Sequence, residues 1–193
     1  MCKKKRKKRY GSKDSRGQLK NRVSIDERPS VVDERKRVGD WELDTVIGRP
    51  GGAVLVTAVE RKTRFSVVAL SANKTAEAVK DALLGVLTPL AAWVRTLTYD
   101  NGKELALHED IAEALSAKGY FAHPYHSWER GLNENTNGLI RQYVPKGTSM
   151  DDLTQDDVNN IMDRLNNRPR KCLGFRTPNQ VLFGINPPIA LAS

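Results

Sequence analysis

The spacing of apolar residues changes once along the chain, and this change constrains the fold more than any other feature. Between residues 38 and 72, apolar and polar residues alternate or form short β-branched runs separated by turn sequences, which predicts three antiparallel strands. From residue 73 to residue 125, helical spacing alternates with the short strand-like runs VRTLTYD and YFAHPY. Alternating helices and strands predict parallel strands with helical crossovers. The two halves therefore predict one mixed sheet.

Further helices are predicted in the last third of the chain, in LNENTNGLIRQYV, in TQDDVNNIMDRLNN and after the Thr177-Pro178 pair. A three-stranded meander followed by helix, strand, helix, strand and helix is the element order of the ribonuclease H-like fold. We therefore predict an α/β protein with a mixed five-stranded sheet flanked by helices. The predicted core spans residues 38–186, and residues 187–193 form a tail.

Positive charge is concentrated at the start of the chain. Residues 1–37 hold 15 of the 32 Lys and Arg residues but only 5 of the 23 acidic ones, so this arm has a net charge of +10 and the remaining 156 residues one of −1. We expect a largely flexible linker that binds nucleic acid through phosphate contacts, rather than a merely solubilising tail or a localisation signal. The candidate contacts in the arm are Lys3, Lys4, Lys5, Arg6, Lys7, Lys8 and Arg9.

Several protein classes are disfavoured by composition. The chain has no apolar run near the roughly 18 residues that span a bilayer, and its basic start lacks the apolar stretch of a secretory signal. Its two cysteines, Cys2 and Cys172, give no disulfide framework and no cysteine-rich zinc site. The sequence predicts a cytoplasmic protein without a membrane partner.

Three carboxylates lie on two predicted strands and on one predicted helix. Asp44 lies on the acidic face of the first strand, Asp100 ends the fourth, and Glu134 lies on the helix that follows the sheet. The Asn101-Gly102 turn behind Asp100 bends the chain away and leaves that carboxylate open. Oxygen ligands suit Mg²⁺, and two such ions can activate the attacking oxygen and stabilise the leaving one in phosphoryl transfer.

The same residues carry a family resemblance. WELDT at 41–45, TYDNGKEL at 98–105 and SWERGLNENTNGLIRQYVPKG at 127–147 resemble the three signatures of a DDE transposase, and RLNNRPRKCLGFRTPNQVLFG resembles the end of its catalytic domain. The resemblance is to bacterial insertion-sequence transposases of the IS-thirty family, within the retroviral-integrase superfamily. It covers roughly residues 20–186.

The resemblance implies an activity and its ligands. It implies a polynucleotidyl transferase for DNA strand cleavage and strand transfer, with Asp44, Asp100 and Glu134 as catalytic and metal-binding residues. It further implies two Mg²⁺ ions, replaceable by Mn²⁺, double-stranded DNA of the transposon ends and target as partner, and a homo-oligomer on the bacterial nucleoid DNA.

Other polar residues compete with this assignment or extend it. Asp40 and Glu42 share the strand face of Asp44 and are rivals for the first ligand, while Glu104 is a weaker candidate, expected at a helix start or on the surface. His123 and His126 form an H-x-x-H pair without a third nitrogen or sulfur ligand, so we do not expect zinc, and His126 could instead contact DNA. Further candidate DNA contacts are Asn133, Asn137 and Arg141, each with an ordinary solvated helix face as the alternative. Arg130 and Lys146 could extend a phosphate track at the same end of the fold.

One part of the family pattern has no counterpart in the sequence. Members of the family carry an N-terminal helix-turn-helix that recognises the terminal inverted repeats, and no such motif is recognisable before residue 38. This is expected of a catalytic fragment, of one product of an interrupted gene or of a decaying remnant. The alternative function is therefore a non-catalytic DNA-binding or inhibitory transposase fragment, and a ribonuclease H-type nuclease with the same metal chemistry is a third.

Overall fold

The computed structural model describes residues 19–124 and 126–185, and within this part of the chain the sheet has five strands. The candidate DNA contacts Lys3 to Arg9 and the predicted tail 187–193 lie outside the described residues. The strands are β1 (Asp40–Ile47), β2 (Val54–Glu60), β3 (Ser66–Ser71), β4 (Thr96–Tyr99) and β5 (Lys118–Phe121). The helices are α1 (Ala76–Leu87), α2 (His108–Ala114), α3 (Gly131–Ile140), α4 (Gln155–Asn166) and α5 (Pro178–Phe183).

The sheet is mixed, as the change of apolar spacing predicts. Its strand order is β3-β2-β1-β4-β5, with antiparallel pairing among the first three strands and parallel pairing of β1 with β4 and of β4 with β5. The central position therefore belongs to β1, which joins the antiparallel and parallel halves. The predicted fold class, an α/β protein with a ribonuclease H-like mixed sheet flanked by helices, is confirmed.

Helices cover both faces of the sheet. On one face α1 and α2 pack against a core that includes Trp41, Leu43 and Leu97, and on the other α3 and α4 pack against Val46 and Leu55. Successive residues of a strand point to opposite faces, so β1 contributes to both cores. The acidic face of β1 therefore lies beneath α3 instead of facing solvent.

The ends of most predicted helices agree with the structure. The Thr75 hydroxyl accepts a hydrogen bond from the Ala78 N–H at the start of α1, and Thr154 and Asp157 form a reciprocal capping box on α4. The exception is α2: the segment HEDIAEALSAKG predicts a helix that ends at Gly119, whereas α2 ends at Ala114. In the structure Gly119 lies in β5, where a Cβ would come within 2.8 Å of the Tyr99 ring. The glycine is explained by close packing between β4 and β5, not by a helix end.

Residues 19–37, which the sequence assigns to the flexible arm, lie against the domain. Two 3₁₀ turns, Ile25–Glu27 and Ser30–Val32, follow the edge of β5, where the Phe121 N–H donates to the Val23 carbonyl. Val32 is fully buried and Arg28 nearly so. Buried Val32 and the paired Arg28 thus hold residues 19–37 against the domain, although the high charge of this segment does not predict such contacts. No helix within the described ranges is long and apolar enough to cross a membrane.

Candidate active site

Asp44 and Asp100 lie at the same level on neighbouring parallel strands. The register of β1 with β4 pairs Asp40 with Thr96 and Glu42 with Thr98, and continuing it by two residues sets Asp44 opposite Asp100. Asp100 directly follows β4, and its Oδ1 accepts the Gly102 N–H at 2.9 Å. The turn that follows the strand thus fixes the Asp100 carboxylate at the carboxyl edge of the parallel pair.

The Asn101-Gly102 turn also contacts β5 and Glu104. The Asn101 amide donates to the Ala122 carbonyl at 2.7 Å, which ties the turn to the end of β5. A Cβ on Gly102 would lie 2.6 Å from the Glu104 carboxylate, so only glycine fits there without displacing that side chain. The sequence predicts the bend, but it does not predict this close packing.

Arg130 connects the two aspartates. Its guanidinium lies 3.4 Å from Asp44 Oδ2 and 3.8 Å from Asp100 Oδ2, and it also donates to the Leu43 carbonyl at 3.3 Å. Arg130 is the residue just before α3, so the start of this helix delivers the cation. Two adjacent carboxylates repel each other unless positive charge lies between them, and the guanidinium supplies it here.

The Asn137 side chain contacts the same aspartate from α3. Its amide donates to Asp44 Oδ2 at 3.0 Å, and its carbonyl oxygen lies 3.4 Å from the Thr57 hydroxyl on β2. Glu134 is exposed and lies three residues before Asn137 on the same helix. Residues three apart are neighbours on a helix surface, so Glu134 lies on the side of α3 that meets Asp44.

Burial affects the charge of Asp44. Desolvation raises the pKa of this carboxyl above its usual value, the positive charge of Arg130 opposes the rise, and the negative charge of Asp100 adds to it. A carboxyl group with a shifted pKa, beside a second carboxyl group at the carboxyl end of two parallel strands, is a frequent property of functional sites. The oxygen-rich donor set of the two aspartates fits a hard divalent cation such as Mg²⁺.

The rival carboxylates on β1 are committed to other partners. Asp40 is fully buried and accepts two hydrogen bonds from Arg37, at 2.9 and 2.8 Å. Glu42 is also fully buried and accepts from Arg61 at 2.7 Å and from the Asn133 N–H at 3.3 Å. Their partners leave neither carboxylate open to a ligand.

Glu104 differs from its expected place on a helix start or the surface. It begins no long helix but lies in the 3₁₀ turn Lys103–Leu105, and it is buried. Its Oε1 accepts from the Thr45 hydroxyl at 2.9 Å and pairs with the Lys74 ammonium at 2.9 Å. Glu104 therefore supports β1 next to Asp44, a role that the sequence does not reveal because its partners are distant along the chain.

The structure divides the candidate DNA contacts into three kinds. Asn133 is fully buried, so its side chain presents no atom to DNA. Its backbone N–H donates to Glu42 Oε2 at 3.3 Å. Arg130 and Asn137 face the aspartates, and Arg141 donates to the Ile47 carbonyl at 2.6 Å. Lys146 is exposed beyond the end of α3.

The sequence is similar to known transposases. It is 47% identical over 171 residues to the transposase of the insertion sequence IS4351 from Bacteroides fragilis, an alignment that covers 88% of this chain and 52% of that protein. It is 39% identical over 177 residues to the transposase of IS30A from Escherichia coli strain K12, covering 90% of this chain and 46% of that protein. The chain thus spans about half the length of these relatives. No protein-family model matches it.

Two solved structures share this fold, one of a BIV integrase core and one of a viral intasome. The catalytic core of the BIV integrase superimposes with a TM-score of 0.57 at 20% identity, over 77% of this chain and 95% of that core. A chain of the simian T-cell lymphotropic virus intasome, solved with a PP2A regulatory subunit, superimposes with a TM-score of 0.61 at 19% identity, over 80% of this chain and 58% of the other. At these identities the likeness concerns the fold alone.

Proposed function

Since the chain belongs to the IS-thirty (IS30) family of bacterial insertion-sequence transposases over the region that it shares with them, we propose that it forms a DNA-cleaving and DNA-joining catalytic core. The observation that carries the proposal is the pair of aspartates, Asp44 and Asp100, which lie level with each other on parallel strands and share one guanidinium. A structural ion pair needs one carboxylate for one arginine. Two carboxylates at the carboxyl ends of adjacent parallel strands instead suit a site for divalent cations.

The proposed metal ligands are Asp44, Asp100 and Glu134. Two Mg²⁺ ions, or Mn²⁺ in their place, would lower the pKa of an attacking water and stabilise the leaving oxygen of the phosphodiester. The chain's own contribution is orientation: Asn137 holds Asp44 Oδ2, the Gly102 N–H holds Asp100 Oδ1, and Glu134 projects from the neighbouring helix.

Arg130 has a second role in this proposal. Its contacts to both aspartates exceed the usual range of a hydrogen bond, so the guanidinium is held by charge and can be released. If divalent cations bound the two aspartates, the guanidinium would no longer be needed to balance their charge. It would then be available for a phosphate oxygen, which arginine binds well because of its planar fork of donors. Arg130 would then anchor the DNA strand beside the reacting phosphate.

DNA is the proposed partner of the whole surface around this edge. Lys146 and Arg141 extend positive charge beyond α3, and the basic residues 3–9 would add contacts to double-stranded transposon ends and target. We further propose that the protein acts as a homo-oligomer on DNA in the bacterial cytoplasm. Binding through phosphates predicts an affinity that falls steeply with salt.

The reverse of the strand-joining reaction tests the activity without requiring the protein to recognise transposon ends. Strand transfer exchanges one phosphodiester for another, so a branched DNA that mimics the joined product is a substrate for the reverse step. We expect the full chain to resolve this DNA with Mg²⁺ or Mn²⁺, and Asp100→Asn and Glu134→Gln to abolish the reaction. Glu113→Gln, an exposed glutamate on α2, is the matched control and should retain it.

Two outcomes would contradict the proposal. Equal activity of the wild type, Asp100→Asn and Glu134→Gln would show that these carboxylates do not carry the chemistry. Equal inactivity together with salt-dependent DNA binding would favour the non-catalytic, inhibitory fragment instead. Cleavage of the RNA strand of a hybrid, without any DNA joining, would favour a nuclease of the ribonuclease H type.

A further inference from the structure

Three side chains meet outside the proposed catalytic carboxylates. His123 Nδ1 lies 2.8 Å from Glu129 Oε1, and His126 Nδ1 lies 3.2 Å from the same oxygen. One ligand atom from each of the three residues lies within 4.8 Å of the others. The cluster therefore has the size of a single coordination shell.

The local backbone explains why these residues converge. The His126 N–H donates to the His123 carbonyl at 3.2 Å, and the Glu129 N–H donates to the His126 carbonyl at 3.1 Å. Each of these is a turn of the 3₁₀ type, in which side chains three residues apart lie above one another. The sequence spacing H-x-x-H-x-x-E thus aligns the two imidazoles and the carboxylate on one side of the turn.

We propose that His123, His126 and Glu129 bind one Zn²⁺ ion. Two imidazole nitrogens and one carboxylate oxygen are a set that zinc accepts, whereas Mg²⁺ prefers oxygen ligands alone. The H-x-x-H pair does not reveal this site in the sequence, because the third ligand is an oxygen and not a nitrogen or sulfur. The proposal does not depend on the proposed DNA chemistry.

Asp26 provides an independent observation for the same site. Its Oδ2 lies 2.9 Å from His123 Nε2, on the opposite side of the ring from Glu129. A carboxylate that accepts the proton of one ring nitrogen fixes the imidazole orientation and leaves the other nitrogen to the metal, as in many zinc sites. Asp26 is therefore a positioning residue for His123.

The place of the site suggests what the ion would do. Glu129 directly precedes Arg130, and His123, His126 and Arg130 line one cavity of about 420 Å³ together with Asp100. Asp26 lies in the segment before β1 that packs along β5. A zinc ion would tie His123, which Asp26 holds from this segment, to the turn that carries Arg130, and so would fix the position from which the guanidinium reaches the aspartates or a phosphate.

Metal titration tests the site directly. The full chain, stripped of metal, is titrated with ZnCl₂ by calorimetry and with CoCl₂ by visible absorption, which reports imidazole coordination. We expect one ion per chain, at least a tenfold loss of affinity in His126→Ala and Glu129→Gln, and a loss of about tenfold in Asp26→Asn. Glu113→Gln should bind as the wild type does.

Two further variants separate this site from other possible ligands. The double variant Cys2→Ser, Cys172→Ser and the variant Asp100→Asn should keep the zinc stoichiometry and affinity, because neither changes the proposed ligands. Zinc should also raise the thermal unfolding temperature of the wild type but not that of His126→Ala. Unchanged binding in His126→Ala, loss of binding in the cysteine variant, or no binding by the wild type would each overturn the proposal.

Discussion

Glu42 and Asp44 lie two residues apart on the same face of β1, yet their surroundings differ. The Glu42 side chain is completely buried, and its partner Arg61 lies 2.7 Å away and is itself only 3% exposed. The Asp44 side chain is 17% exposed, and its arginine partner lies 3.4 Å away and is shared with Asp100. A buried carboxylate with its own short ion pair is structural, whereas an accessible one that shares a loosely held cation can exchange that cation for a ligand.

The direction of α3 accounts for this difference. Asn133 meets Glu42 and Asn137 meets Asp44, so four residues of helix advance as far as two residues of strand. The two distances agree, since four helical residues rise about 6 Å and two strand residues about 6.6 Å. The helix therefore runs alongside β1 in the same direction, covers Glu42 and reaches Asp44 where the sheet edge opens.

The sharpest test of the contrast removes the charge of Asp44. Asp44→Asn should reduce DNA joining at least about a thousandfold, because bound metal ions supply several kcal/mol of transition-state stabilisation and each 1.36 kcal/mol is a factor of ten. Its stability should be equal or higher, because the substitution removes repulsion from Asp100. Joining of branched DNA and urea unfolding measure the two effects. A large loss of stability would place Asp44 with the structural carboxylates.

The converse variant is Glu42→Gln. Removing one charge of a buried ion pair leaves Arg61 with only the exposed Asp33 carboxylate as counter-charge, so the free energy of unfolding should fall by about 3 kcal/mol. Urea unfolding followed by circular dichroism measures the change. Glu134→Gln serves as the control, since an exposed substitution should alter stability by less than about 0.5 kcal/mol. A Glu42→Gln variant as stable as the wild type would remove the physical distinction between the two carboxylates.

These two residues also show where prediction from sequence ends. Alternation along DWELDT sets Glu42 and Asp44 on one face, and the change in apolar spacing predicts the mixed sheet, in which the structure places β1 at the centre. The sequence cannot assign their partners, because Arg61 follows β2 and Arg130 follows β5, far from β1 along the chain. For the same reason the buried contact of Glu104 with Thr45, and the third residue of the His123 cluster, appear only once the chain is folded.

A smaller effect is expected from Arg130→Gln. This substitution removes the cation that competes for Asp44 and Asp100, so Mn²⁺ should bind the free protein about threefold more tightly, as expected for a partly exposed ion pair worth less than about 1 kcal/mol. Calorimetric titration of the zinc-loaded protein with Mn²⁺ measures this. Arg141→Gln is the matched control, because Arg141 donates to the Ile47 carbonyl and not to the aspartates. Weaker Mn²⁺ binding in Arg130→Gln would show that the guanidinium organises the carboxylates instead of competing for them.

The smallest effect concerns a carboxylate of a third kind, Asp151, which is held by neutral donors. The Ala53 N–H donates to Asp151 Oδ1 at 3.0 Å, and this bond, with the Ser149 hydroxyl, lowers the pKa of Asp151 below its ordinary 3.8. A lowered folded-state pKa stabilises the fold above pH 3.8, and the stabilisation is lost as the pH falls through the folded-state value. The thermal unfolding temperature of Asp151→Asn should therefore lie slightly below that of the wild type at pH 7 and converge with it in acid, whereas the exposed Asp152→Asn should match the wild type throughout. A difference in unfolding temperature between Asp151→Asn and the wild type that stays constant with pH would mean that these contacts of Asp151 depend on shape and not on charge.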